Sequence, residues 1–510
     1  MVLRLILGDQ LNQQHSWFQD IDEEVCYFMA EMRQETDYVK HHIQKVTAFF
    51  LSMRNFSEGL KNQGFDVVYY TLDDPRNQQD LVKNLSQIIK EKNITRFEYQ
   101  LPDEYRLDQQ LKGFCDTIDI DTNAFDTEHF LTSRTDFENF FDGKKQYVME
   151  YFYRYMRKRY DIMMLDSKNP EGGKWNFDQS NRKKWTGSPE IPNEKTYNHD
   201  VASIVSLIRD QGVQTIGNID SKRFNWPISR EESLDLLNYF CKHLLQFFGD
   251  YQDAMHEEQK FLFHSRLSFA MNSKMLSPKE VIGTVVTYWR EHQDDINISQ
   301  VEGFVRQILG WREYMRGMYW AKMPDYKGLN ALDNHNTLPD FFWTADTKMN
   351  CVHHAIKQSL DEAYAHHIQR LMITGNYALL TQIHPDAVDE WYLGIYIDAI
   401  EWVEITNTRG MSQFADGGLV ATKPYVSSGS YINKMSDYCK NCHYKVSKKV
   451  EEDACPFNAL YWNFLNEKRA YFSSNQRMRM MLNLLDKMDK DQLMSLKKRA
   501  NDIIQNADEY

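Results

Sequence analysis

Apolar residues follow two different rhythms along this chain, and the rhythm changes once. Up to about residue 130 they form short runs bounded by turn residues. The run at 2–7 stops at Gly8-Asp9, and runs at 25–29, 66–70, 97–99 and 118–120 repeat the pattern. Segments of helical length lie between them at about 40–63 and 79–92. Strands alternating with helices predict a doubly wound parallel sheet, whose ligands sit beyond the carboxyl ends of the strands. Those ends fall near Asp9, at 31–38 and at 101–106.

Beyond about residue 226 the period becomes helical. Val301, Phe304, Val305, Ile308 and Leu309 share one face of a helix, and strand signals nearly vanish. Between the two regions, 134–225 is rich in turn residues and holds one helix-like aromatic stretch at 147–160. The expected architecture is α/β plus all-α: a sheet domain at 1–133, a surface connection at 134–225 and a helical domain at 226–510. No apolar run approaches the ~18 residues of a membrane span. The run at 2–7 is broken by Arg4 and stopped by Asp9, unlike a signal peptide. A cytoplasmic protein with no membrane partner is expected, and its seven cysteines read as thiols or ligands rather than disulfides.

The formal net charge of −13 argues against a phosphate-rich partner only if the charge is evenly spread. It is not. Residues 1–40 hold eight acidic groups against three basic ones, whereas 144–184 hold eleven Lys or Arg against five acids. Within that strip, 151–160 interleave cations with aromatics, a pattern suited to phosphates and unstacked bases. A solvated helix face is the competing reading. Arg154, Arg157, Arg159 and Arg182 are the candidate DNA contacts, and Asp178 is a candidate for a divalent cation such as Mg2+ bridging to DNA. Lys434, Lys440, Lys445, Lys448 and Lys449 form a second basic stretch.

Among the cysteines, Cys26, Cys115 and Cys241 lie in apolar surroundings and read as packing. Cys439 and Cys442 form a Cys-x2-Cys pair, Cys455 precedes a proline, and Cys351 lies far upstream. Four thiolates of this kind suit either a tetrahedral zinc or an iron–sulfur cluster, and spacing alone leaves both open.

Several longer segments together resemble the photolyases. They are Ser265-Arg266-Leu267-Ser268 with Met275-Leu276-Ser277-Pro278, and Arg306-Gln307-Ile308-Leu309-Gly310-Trp311-Arg312-Glu313-Tyr314. Tyr364-Ala365-His366-His367-Ile368-Gln369-Arg370-Leu371-Met372, Phe414-Ala415-Asp416-Gly417-Gly418 and Ala454-Cys455-Pro456-Phe457-Asn458 narrow this to one branch. That branch is the iron–sulfur bacterial cryptochromes and photolyases, which includes the prokaryotic (6-4) photolyases. The resemblance implies an N-terminal antenna domain and a helical FAD domain, and a [4Fe-4S] cluster on Cys351, Cys439, Cys442 and Cys455.

For FAD it implies Ser265, Leu267 and Ser268 at the pyrophosphate, although a serine capping a helix reads the same way. Arg312 offers a charged hydrogen bond. Asp398, Glu404 and Asn407 fall where the superfamily approaches the isoalloxazine ring, with Asn407 the best positional match. The tryptophan usual shortly after this point is replaced by Met411, so electrons are expected to pass through Trp391, Tyr392 and Trp343 instead. His366 and His367 are the implied proton donors to a (6-4) lesion. Adjacent helical residues point about 100° apart, so one of them faces the pocket, and His366 is the first choice. Asp9, Glu35 and Tyr38 match an antenna site for 6,7-dimethyl-8-ribityllumazine, and Tyr425 and Tyr431 line the expected lesion pocket. The implied activity is light-driven repair of (6-4) dipyrimidine photoproducts in UV-damaged DNA by a monomer. A blue-light photoreceptor with the same cofactors is the second reading, and a flavin-free iron–sulfur DNA-binding protein the third.

Overall fold

Five parallel strands form the sheet of the computed structural model, which describes residues 1–510. They are β1 (Val2–Leu5), β2 (Val25–Ala30), β3 (Asp66–Tyr70), β4 (Arg96–Gln100) and β5 (Asp121–Phe125), in the order β3-β2-β1-β4-β5. Leu3 lies beside Cys26 on one side and Phe97 on the other, which puts the most apolar run at the sheet's centre. The fifth strand begins three residues later than its expected run at 118–120. It is an exposed edge strand, so no buried face demands apolar residues along it.

The sheet's two faces have different fates. Leu3, Leu5, Cys26, Phe28 and Phe97 join a core of 16 residues with the helices Leu81–Glu91 and Tyr105–Cys115. Val2, Ile6, Val25, Tyr27 and Met29 join one continuous core of 119 residues that also fills the helical half. The two halves therefore share apolar surface and pack as one body. The connection is more deeply embedded than expected. Phe137, Phe141, Phe152, Tyr153 and Met156 are buried, and Phe137 lies edge-on to Tyr314 with centroids 5.3 Å apart.

Local chemistry sets the helix boundaries. Ser277 accepts from Glu280 N and Pro278 occupies the first turn, so Pro278–Glu291 starts where an orphan donor is satisfied. Gly249 permits the helices Leu245–Tyr251 and Ile298–Val305 to cross, since a Cβ there would stand 2.9 Å from Gln300 Cα. Wide i→i+5 turns interrupt helices at Phe240–Leu244, Arg306–Arg312, Arg370–Gly375 and Thr406–Ser412. Such turns cost regular packing and frequently mark functional sites. No helix is long and apolar enough to cross a membrane.

A buried ion cluster joins the halves. Lys274, 1 % exposed, reaches Asp9 at 2.7 Å and Asp103 at 2.9 Å, and Arg316 approaches Asp103 at 3.5 Å. Lys274 holds a left-handed backbone with φ 65°, unfavourable for a residue with a Cβ. Lys274→Met is expected to lower stability by about 3 kcal/mol, because it removes the nearest cation from buried Asp103 and half-buried Asp9. The denaturant midpoint measures this, and an unchanged midpoint would show that the cluster is dispensable.

Candidate functional site

Most of the expected flavin residues come together where three segments of the helical half meet. The segment 264–268 leads into the short helix Ser268–Asn272, with Leu267 buried at its cap position and Ser265 and Ser268 half-buried. Beside it, the rings of His264 and His366 stack at 4.5 Å and 14°. His264 Nε2 and His366 Nδ1 are buried without a partner. Burial is the main force lowering the His366 pKa, helped by the charges of His264, His367 and Arg370. His264 falls to about 4 by burial and by His367. His367 is exposed, yet burial also takes it to about 4, with Arg370 contributing.

Arg370 closes one side. Its Nη1 and Nη2 meet Asp398 Oδ1 and Oδ2 at 2.9 and 3.1 Å, and its guanidinium lies 3.8 Å from the Tyr396 ring centre. Asn272 donates to the Asp398 carbonyl at 2.7 Å, tying the serine segment to this pair. Arg312 stands one layer back. Its Nη2 donates to His129 Nε2, Asn272 Oδ1 and Met271 O, and its guanidinium lies between Phe130 and Trp402. Burial lowers its pKa to about 10. In this geometry Arg312 braces Asn272.

Asn407 Nδ2 donates to Val403 O at 2.7 Å in its own helix, which leaves its second N–H and its Oδ1 for other partners. Glu404 is buried, keeps Oε1 without a partner, and is pushed well above the usual carboxylate range by burial and by Asp389. Unpartnered polar atoms on His264, His366 and Glu404, beside a fixed Arg370–Asp398 pair, suit a polar heterocycle. The donor set fits a flavin.

An aromatic ladder runs from the surface toward this pair. Trp343 is 41 % exposed, and its neighbour Phe342 lies edge-on to Trp391 at 5.1 Å. Trp391 Nε1 donates to Phe342 O at 3.0 Å, and the Trp391 and Tyr392 rings are 5.4 Å apart. Tyr392 Oη donates to Arg370 O at 2.6 Å.

Cys351, Cys439, Cys442 and Cys455 line one largely apolar cavity of about 320 Å³, counted out to its mouth. Gly429 leaves room for sulfur, since a Cβ there would come 2.7 Å from Cys455 Sγ. Four thiols on one cavity are a donor set for either a tetrahedral zinc or an iron–sulfur cluster.

Asp9, Glu35 and Tyr38 line a single cleft of about 990 Å³, counted out to its mouth, at the carboxyl ends of the strands. Asp9 is held by Lys274, and Glu35 by Arg106 at 2.7 Å, whereas Tyr38 stands 40 % exposed with Arg106 over its ring. Sequence reasoning missed the other polar members. Lys45 donates to Leu393 O and Ala399 O, and burial lowers its pKa to about 7. Burial raises Glu104 to about 7, and His41 keeps Nδ1 unpartnered. No signal could have found Lys45, which is one charged residue in an ordinary helix. Arg370 and His264 were legible only as neighbours of chosen motif residues.

The basic strip divides. Arg157 is fully buried, donating to Ile162 O and Trp175 O at 3.1 Å and also to Met163 O, so it is no DNA contact. Arg154 pairs with Glu150 and Arg159 with Asp136, both at the surface, while Arg182 is exposed and pairs with Asp178. Asp178 also receives Arg306 at 3.2 Å. Its carboxylate is shared by two guanidinium groups, and the nearby Asp253 carboxyl is raised to about 6 by burial and by the charge of Asp178. Tyr425 and Tyr431 are half-buried and feel the charges of Arg182 and Asp253. Arg157→Ala is expected to cost about 1–3 kcal/mol of stability by stranding buried carbonyls. Arg182→Ala should leave the melting temperature in place and make the slope of log affinity against log salt shallower by about 0.9 for each phosphate that Arg182 neutralises. The opposite pattern in thermal melts and salt titrations would reverse these roles.

Residues 4–226 match the family model described as deoxyribodipyrimidine photo-lyase-related protein. A (6-4) photolyase of Agrobacterium fabrum is 39 % identical over 503 residues, covering 98 % of each chain. Among solved structures, a bacterial class III photolyase from Agrobacterium tumefaciens superposes with a TM-score of 0.55 at 14 % identity, covering 85 % of this chain and 86 % of that one. A Synechocystis cryptochrome gives 0.54 at 13 % identity, covering 96 % of this chain and 99 % of that one. At such low identity these two likenesses concern the fold alone.

Proposed function

The chain belongs to the bacterial (6-4) photolyase family, and on that premise we propose that it repairs (6-4) dipyrimidine photoproducts in UV-damaged DNA by a light-driven reaction. The observation that carries the reading is the stacked His264–His366 pair, with unpartnered ring nitrogens, beside Arg370 and Asp398. Splitting a cyclobutane dimer needs only an electron delivered and returned. A (6-4) lesion also needs an oxygen moved between bases, and a positioned imidazole assists that transfer as a general acid. The imidazoles are held neutral by burial, and the approach of a negatively charged lesion favours their protonated form.

FAD is the cofactor of this family, and when bound and reduced it supplies the photoexcited electron. Ser265 and Ser268 are suited to its phosphates, the Arg370–Asp398 pair to the polar edge of the ring system and Glu404 to its proton chemistry. Trp343, Trp391 and Tyr392 offer the route by which electrons from outside reach the pocket. Cys351, Cys439, Cys442 and Cys455 would hold a [4Fe-4S] cluster that pins the C-terminal segment to the helix Asn350–Glu362. The cleft of Asp9, Glu35 and Tyr38 suits a ribityllumazine antenna. The exposed part of the basic strip faces the DNA.

Blue-light repair assays with (6-4) and cyclobutane substrates test the proposal. Fully reduced protein is expected to restore (6-4)-damaged DNA selectively. No restoration would leave the photoreceptor reading standing. Trp391→Phe should slow photoreduction of the flavin at least ~10-fold while leaving repair by chemically reduced protein intact.

A further inference from the structure

Two buried glutamines stand behind the stacked histidines. Gln369 is 1 % exposed, and its amide is fully engaged inside the protein. Its Oε1 accepts from the His366 backbone N–H at 3.1 Å, and its Nε2 donates to Gln358 Oε1 at 3.0 Å and to Tyr438 Oη at 3.2 Å. The first contact does for His366 what the third helical residue does in a capping box. Gln358, buried on the helix Asn350–Glu362, donates in turn to Lys260 O at 3.0 Å. The turn that follows Lys260 ends at His264, whose N–H donates to Phe261 O at 2.9 Å. One amide pair therefore holds the main chain at His366 and just before His264.

Tyr438 links this pair to the cysteines. It immediately precedes Cys439 and is buried, with its ring stacked on His354 at 5.8 Å and 16°. Its carbonyl accepts from Asn350 Nδ2 at 2.9 Å, beside Cys351. Glu257 closes a collar around the cysteine segment. Its Oε1 accepts from Asn350 Nδ2 at 2.8 Å, and its Oε2 accepts at 2.9 Å from Asn441 Nδ2, between Cys439 and Cys442. Cys351, Cys439 and Cys442 thus each have a chain neighbour in one hydrogen-bonded ring that also carries Gln369.

We propose that Gln369 and Gln358 are positioning residues for the imidazole pair, and that Tyr438 makes their alignment depend on the cysteine segment. The proposal rests on the repair reading given above. A buried amide with all its hydrogen bonds made has one favoured place, because any displacement leaves a polar group desolvated and unpaired. Both glutamines act through the main chain of the histidine segments and move no proton. A general acid works only within hydrogen-bond reach of the group it serves, so a ring displaced by about 1 Å loses rate while the lesion still binds.

Steady-state repair of (6-4)-damaged DNA by chemically reduced holoprotein, compared at equal flavin content, tests the proposal. Gln369→Met is expected to lower kcat at least ~10-fold while KM and the affinity for damaged DNA in the dark stay in place. Tyr438→Phe keeps the ring, removes only the hydroxyl, and is expected to lower kcat about 3-fold. The double variant should be no slower than Gln369→Met alone, since both losses run through one link. Natural kcat in either single variant, additive losses in the double variant, or a loss of dark affinity equal to the loss of kcat overturns the proposal. If Gln369→Met fails to fold, Tyr438→Phe decides alone. Natural protein that leaves (6-4)-damaged DNA unrepaired overturns the repair reading and this proposal with it, a result distinct from slow repair by flavin-loaded variants.

Discussion

Replacing His366 by alanine is expected to abolish repair of (6-4) photoproducts while leaving flavin bound. Positioned acid–base groups contribute on the order of 10²–10⁴-fold, and no other imidazole can take over fully. His264 is stacked on the His366 ring, and His367 is exposed. His264→Ala should lose less, because it supports the His366 ring rather than replacing it. The measurement is single-turnover repair by chemically reduced protein, which removes photoreduction from the comparison. Retained repair in the His366 variant, with normal flavin content, would take this residue out of the mechanism.

A second large effect concerns acid. Between pH 6.5 and 5.5 the protein is expected to lose about 4 kcal/mol of stability through four buried imidazoles. His42 is lowered to about 4 by burial, and His41, His129 and His366 are lowered well below the ordinary value by the same cause. His129 Nε2 faces Arg312 Nη2 at 3.0 Å, which suits an acceptor and hence a neutral ring. In the unfolded chain all four take up a proton near pH 6.5, whereas the folded protein keeps them neutral. The contribution is therefore intact above 6.5 and is lost as pH falls toward the folded values. A loss of that size is a large fraction of the whole stability of an ordinary domain. Denaturant midpoints that stay level from pH 7 to 5.5 would refute it.

Both predictions depend on contacts of different legibility in the chain. The central strands were readable because a strand buried on both faces must be largely apolar, as β2 is throughout and β1 is apart from Arg4. The edge strand β5 was displaced by three residues because exposure removes that demand. The cysteine set could be read from spacing and resemblance, and the tertiary structure brings all four thiols onto one cavity. Arg157 and Arg182 look alike in sequence. The first is fully buried against carbonyls and the second meets solvent, and no local pattern distinguishes them.

Local periodicity, turn chemistry and long motifs thus determined the two-part architecture, the family and the candidate residues for flavin, cluster and antenna. Those features follow from which side chains a strand or helix must bury, and neighbouring residues largely decide that. Tertiary structure alone decided the stacking of His264 on His366, the buried and unpartnered oxygen of Glu404, and the contrast between buried Arg157 and exposed Arg182. Each depends on groups far apart in the chain, or on how one helix turn meets another. Burial, hydrogen bonding and charge at a given atom are set by what packs against it.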